Sequence, residues 1–175
     1  MDNHHNIGLG CRNFNFAVYI ANRPPLYEYQ SLDQLTALTS GEITAIGQQC
    51  GNGWRKVFNV YAKLLYALKP QQFLYRDSAA TWQKFRDQHL LQPNSNTALL
   101  FSPPQLTDST TIHLIIGRTY AKSLVNSGQL TVPLTWLDNE FAINHQHRLI
   151  VCPYFDYRQL SNLKIERLAL MISQL

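Results

Sequence analysis

Apolar positions along the chain change rhythm about halfway. The stretch "FNFAVYIA", Phe14 to Ala21, is short, β-branched and aromatic, and it halts at Pro24 and Pro25, which cannot continue a ladder. It predicts a buried strand followed by a loop. "SLDQLTAL", Ser31 to Leu38, predicts a short helix capped by Ser31. From Gly53 the spacing is helical: Trp54, Val57, Phe58, Tyr61, Leu64, Leu65 and Leu68 recur at three- and four-residue steps until Pro70. "SAATWQKFRDQHLL" predicts a second helix opened by Ser78, with Trp82 and Phe85 on one face.

In the second half the strands dominate. "TALLFSPP" and "TIHLIIG" predict strands that end at a Pro pair and at Gly117, and "RTYAKSLV" a helix after the second. "LTVPLTW" and "EFAI", joined through Asp138-Asn139, predict a small hairpin. "RLIVCPY" is a last strand. "SNLKIERLALMISQL" is a closing helix that buries Ile165, Leu168, Ala169 and Ile172.

Strands without alternation, each followed by a helix, predict a parallel sheet covered on both faces. The expected fold is therefore one α/β domain over residues 1–175. It is a three-layer α/β/α sandwich with a mostly parallel four- or five-stranded sheet, and residues 1–12 form a poorly ordered N-terminal segment. Parallel sheets of this kind bind ligands beyond the carboxyl ends of their strands. The loops that begin at Asn22, Phe101, Gly117 and Cys152 are then the ones to watch.

Composition adds bounds. At 175 residues, 45% hydrophobic and 15% charged, the chain has the makings of a full core. A net charge of +4 permits an anionic partner without requiring one. No apolar run approaches the roughly 20 residues that span a bilayer, so no membrane partner is expected. "MDNHHNIGLG" lacks the basic-then-apolar layout of a secretory signal. Cys11, Cys50 and Cys152 are odd in number and widely separated, which fits a reducing cytoplasm and no thiolate metal site. His145 and His147 have metal-compatible spacing, but "NHQHR" reads better as a polar turn with no third ligand. No metal and no cofactor are predicted.

Three places carry candidate chemistry. In "CGNGWRK" a helix N-terminus with Asn52, Arg55 and two glycines suits an anion, and the same residues equally make a cap and a turn over a core Trp54. Cys152 is a nucleophile only if a base and an electropositive setting reach it; otherwise it is a small core residue. The loop 152–159 is densest, with Tyr154, Asp156, Tyr157 and Arg158. Aromatics beside Arg stack on bases and hold phosphates; alternatively they fold onto the sheet while Asp156 pairs with Arg158.

The strand-end loops resemble the uracil-DNA glycosylase superfamily. "VYIANRPP" stands where that family's first motif would be, and offers Asn22. "GNGWRKVFNVYAKLL" resembles the second, with Trp54 as the base-stacking aromatic. "LIIGRTYAKSL" matches the family's glycine-helix segment at Gly117, Ala121 and Leu124, and "VCPYFDYRQL" takes the place of the last motif. "CGNGWRKVFNVYAKLL" and "PYFDYRQLSN" also resemble an uncharacterised bacterial family. The glycosylase resemblance implies a domain that binds a nucleobase or nucleic acid. Asn22 would be its catalytic residue, and Asn52, Trp54, Arg55, Phe101, Ser102, Cys152, Tyr154, Asp156, Tyr157 and Arg158 would be its binding residues. Cys152 stands where the family has His and the first loop has no acid before Glu28, so loss of catalysis is part of the expectation. The competing expectation is a non-enzymatic protein-interaction module built on loop 152–159.

Overall fold

The apolar runs around Val18, Leu99, Leu114 and Ile150 become four neighbouring parallel strands, buried on both faces because helices or loops cover each side. They are β2 (Phe16–Tyr19), β4 (Thr97–Leu100), β5 (Ile112–Ile116) and β8 (Leu149–Cys152), in the spatial order β4-β2-β5-β8. The computed structural model describes residues 5–175.

The sheet is wider than the sequence predicts. Short strands extend it on both sides: β1 (Gly8–Gly10) and β3 (Leu35–Thr36) beyond β4, β7 (Ala142–Asn144) and β6 (Thr135–Trp136) beyond β8. The full order is β3-β1-β4-β2-β5-β8-β7-β6, eight strands with antiparallel β1·β4, β7·β8 and β6·β7 pairs, so the sheet is mixed rather than four- or five-stranded.

Two sequence expectations fail here for identifiable reasons. The segment expected to be a disordered terminus supplies β1. Gly10, at φ 137°, lies so near β4 that a methyl group there would meet Ala98 Cα at 2.7 Å. Glycine therefore permits the pairing, and no side-chain pattern advertises it. Of the expected N-terminal segment, residues 1–4, His4 among them, lie outside the described residues. The expected helix at Ser31–Leu38 is instead mostly loop with β3, because Leu35 and Thr36 pair with Gly8 and Leu9.

Among the described residues six α-helices accompany the sheet: α1 (Tyr27–Gln30), α2 (Glu42–Cys50), α3 (Asn52–Ala67), α4 (Trp82–Gln88), α5 (Arg118–Asn126) and α6 (Asn162–Ser173). α3 buries eight apolar side chains from Trp54 to Leu65 in the core that also holds Phe16, Val18, Leu114 and Ile150. α2, α4 and α6 pack around α3. The Tyr61 hydroxyl donates to the Ala98 carbonyl at 2.9 Å beneath the sheet, so its buried polar atom is satisfied. α4 starts three residues later than expected, with the Thr81 hydroxyl rather than Ser78 accepting from the Lys84 N–H. α5 and the chain around Leu130 cover the opposite face. The layers are therefore α/β/α, with most of the helical mass on one side.

Under α5's side of the sheet, His113 is 1% exposed and stacks on Tyr19, whose hydroxyl lies 2.7 Å from His113 Nδ1. The sequence reading of His113 as a core residue matches this. Burial holds its imidazole down to about 4. An unfolded histidine titrates near 6.5, so between these values the unfolded chain binds the extra proton. Stability is then full above about pH 6.5 and falls as pH drops toward 4, by roughly 3 kcal/mol at about 1.4 kcal/mol per pKa unit. Denaturant unfolding followed from pH 7 to 4 checks this: His113→Gln should flatten the wild-type slope in that window by about one proton. An unchanged slope would mean that His113 does not titrate below its unfolded value.

Candidate functional site

All four parallel strands end on one edge, and their loops meet there. β2 runs into Asn22 and Arg23, β4 into Phe101 and Ser102, β5 into Gly117, and β8 into Pro153 and Tyr154. The Tyr154 hydroxyl donates to Asn22 Oδ1 at 3.3 Å, which bridges the loops after β2 and β8. These two expected site residues are brought together.

Others are spent on structure. Arg23 donates through Nη1 to the carbonyls of Tyr29, Gln30 and Leu32 at 2.8–3.0 Å, and its guanidinium lies 5.3 Å from the Phe101 ring centroid. Phe101 is thus half-buried under a fixed arginine. Ser102 Oγ accepts the Ile7 N–H at 3.0 Å, which ties the first described residues to the end of β4. Trp54 is 6% exposed and tilts against Phe58 at 5.9 Å. It belongs to the apolar stripe of α3 and offers no face for a base. Asn52 is exposed at the first position of α3, where Gly51 at φ 93° makes the cap and no side chain caps the helix.

Cys152 is fully buried, and that burial pushes its thiol pKa up, away from the thiolate a nucleophile needs. It is the last residue of β8 and part of the main core, not a binding group.

The loop after β8 divides its aromatics. Phe155 points inward and meets Tyr61 edge-on at 5.8 Å. Asp156 does not pair with the Arg158 guanidinium. Its Oδ1 accepts the Arg158 backbone N–H at 2.9 Å, and its Oδ2 takes a 3.2 Å salt bridge from Lys56. The Arg158 N–H first, and then Lys56, hold the Asp156 carboxyl below its ordinary range. These bonds pin the loop to α3. Arg158 is exposed, and among the described residues its side chain makes no hydrogen bond or salt bridge, although its charge also helps hold the Asp156 carboxyl down. Tyr157, 40% exposed, lies along the outer side of α3, where its hydroxyl receives Asn59 Nδ2 at 2.6 Å.

Tyr157 leads to residues that sequence reasoning missed. Lys63 Nζ lies 4.6 Å from the Tyr157 ring centroid and 5.0 Å from that of Trp82, so one ammonium faces two rings. Arg86, one turn beyond Trp82 on α4, lies 5.5 Å from the same indole and donates to Asn59 Oδ1 at 2.6 Å. The signal was present as a polar stripe on α3 (Arg55, Asn59, Lys63) opposite the apolar one, and as the i, i+4 pair Trp82 and Arg86. Among the described residues eight cation–aromatic pairs lie within 6 Å.

His145 and His147 sit in the turn between β7 and β8, where Asn144 Oδ1 accepts the His147 N–H. Among the described residues no three of His, Cys, Asp or Glu gather as a metal site, and no helix is long and apolar enough to cross a membrane.

The chain belongs to a family of unknown function (DUF6942), whose model matches residues 7–173. No curated protein and no solved structure matches it.

Burial makes a direct prediction about thiol chemistry. In the native protein Cys152 should resist a thiol reagent that labels the partly exposed Cys11 and Cys50, and should react only on unfolding. Mass spectrometry after native labelling reads this. Rapid modification of Cys152 would restore the nucleophile reading.

Proposed function

We propose that this is a glycosylase-like domain that binds single-stranded nucleic acid without cleaving it. The surface that does so is formed by Trp82, Tyr157, Lys63 and Arg158. The observation that carries the reading is the Lys63 ammonium facing both the Tyr157 and Trp82 rings, with the exposed Arg158 next to Tyr157 in the chain. Rings stack on bases of any sequence, and nearby cations meet the phosphates, which together describe binding to a flexible single strand.

The glycosylase-like layout is supported by the loops carrying Asn22, Gly117 and Tyr154, which leave one edge of the parallel strands in the order the sequence motifs imply. Absence of catalysis is supported by the groups themselves. Cys152 is buried in the place of a histidine, Asn22 Oδ1 is engaged by Tyr154, and the one carboxylate of the loop after β8 is engaged by Lys56. A base-flipping enzyme needs a stacking pocket at its reacting centre, and Trp54 does not provide one.

The test is a fluorescence titration with a single-stranded oligonucleotide at low and near-physiological salt. Binding should weaken as salt rises. Tyr157→Ala should weaken it by about 1–3 kcal/mol, the usual return of one stacked base, while Tyr157→Phe keeps the ring and most of the affinity. Arg158→Ala should weaken binding less at high salt, with stability changed by under about 1 kcal/mol because the side chain is exposed. If no oligonucleotide binds at low salt, the nucleic-acid reading is lost. A partner protein captured by Tyr157 would then make this surface an interaction module.

A further inference from the structure

Beside the aromatic surface lies a pocket of about 380 Å³ between α2, α3 and α4, within the ~300–1,000 Å³ range of ligand sites. Its shape follows from the chain. α2 turns at Gly51 into α3 and packs back against it, with Gly47 against Arg55 and with Ile43 and Asn59 lining the same pocket. A Cβ at Gly47 would meet Arg55 Cβ at 3.4 Å, so the missing side chain keeps the groove open. α4 meets α2 and brings Arg86 to the level of Asn59. The groove is thus bounded by a helix on each side, with α3 as its floor.

The inner polar groups are fixed before any ligand arrives. Arg86 grips Asp87 through Nε at 2.8 Å and Nη2 at 3.1 Å, and holds Asn59 through Nη1. Asn59 is 8% exposed, and its other end is held by Tyr157. Around the outer part, the side chains of Thr44, Gln48 and Arg55 line the pocket and, among the described residues, form no hydrogen bond or ion pair. A preorganised inner wall beside a free guanidinium, hydroxyl and amide is the donor set of an oxyanion site. The planar fork of Arg suits phosphate oxygens, and one acid, already paired, stands against two arginines.

We infer that this pocket holds the terminal phosphomonoester of a bound single strand. The inference rests on the proposed nucleic-acid surface. The Asn59–Tyr157 bond joins the two places, so a strand whose base stacks on Tyr157 has its end within reach of Arg55. A terminal phosphate carries more charge than an internal diester. Arg55 makes the discriminating contact, while Arg86 and Asn59 position the phosphate from the inner wall.

The experiment measures binding of one internally labelled oligonucleotide in three forms: 5′-phosphorylated, 3′-phosphorylated and unphosphorylated. One phosphorylated form should bind about tenfold more tightly than the unphosphorylated form, the return of one charge-assisted hydrogen bond. That ratio should fall to about one in Arg55→Gln, and to or below one in Gln48→Glu, which sets a carboxylate in the pocket. Both residues are exposed, and matching thermal melts would show that the variants fold. Equal binding of all three forms by the native protein, with Tyr157→Ala still weakening each, would overturn the phosphate pocket and leave the aromatic surface standing. No binding of any form would remove the surface reading and this inference with it. If a free nucleoside monophosphate binds, is lost in Arg55→Gln, and yet end phosphorylation adds nothing, the pocket takes a free nucleotide and the strand-end assignment is wrong.

Discussion

The seating of α3 on the parallel strands is the constraint on which the rest depends. Its apolar stripe fills the space over β2, β4, β5 and β8, and Tyr61 passes through that layer to reach a strand carbonyl. Such a hydroxyl must find a partner once water is gone, because a buried polar group left alone costs on the order of 1–3 kcal/mol. The helix can therefore sit in only one register along the sheet. Its outward stripe is then placed as a consequence, with Lys56 held to the loop after β8 and Asn59 held to both Tyr157 and Arg86. A surface drawn from three separate elements is organised by one buried helix.

The same dependence explains which parts of the fold were legible. β2, β4, β5 and β8 announce themselves as unbroken apolar runs because both of their faces are covered, and that requirement is local to each strand. α3 announces itself by spacing. β1 does not, since its membership of the sheet rests on Gly10 coming against β4, a tertiary fact without a side-chain signature. β3 has two residues and gains its identity wholly from pairing with β1. α2 also went unread, although Thr39 and Glu42 mark its start: the Glu42 carboxylate accepts the Thr39 N–H and hydroxyl, each at 3.1 Å.

For the candidate site, residue type proved a weaker guide than direction. Trp54 and Tyr157 are both aromatics beside a helix, and only the phase of Trp54 within the buried stripe, three before Val57 and four before Phe58, separates scaffold from surface. Loop 152–159 alternates in the same way. Cys152, Pro153, Phe155 and Leu160 go inward, while Tyr157 and Arg158 go out. What no reading of one segment could reach is the meeting of Lys63, Trp82 and Tyr157, from three places far apart in the chain. Cation–aromatic contacts are cheap to assemble once the backbone is fixed, and they leave little mark on local patterning.

The short flanking strands have a consequence for the life of the protein in a crowded solution. A parallel core that ended at β4 or β8 would present a full row of unpaired amides to any neighbour. Instead the ladder tapers to β3 and β6, each two residues long. Strands so brief give an intruding chain almost nothing to zip against. The glycines that bring β1 onto β4 thus keep that edge covered, and a substitution that loosened them would bare β4 and be felt as aggregation.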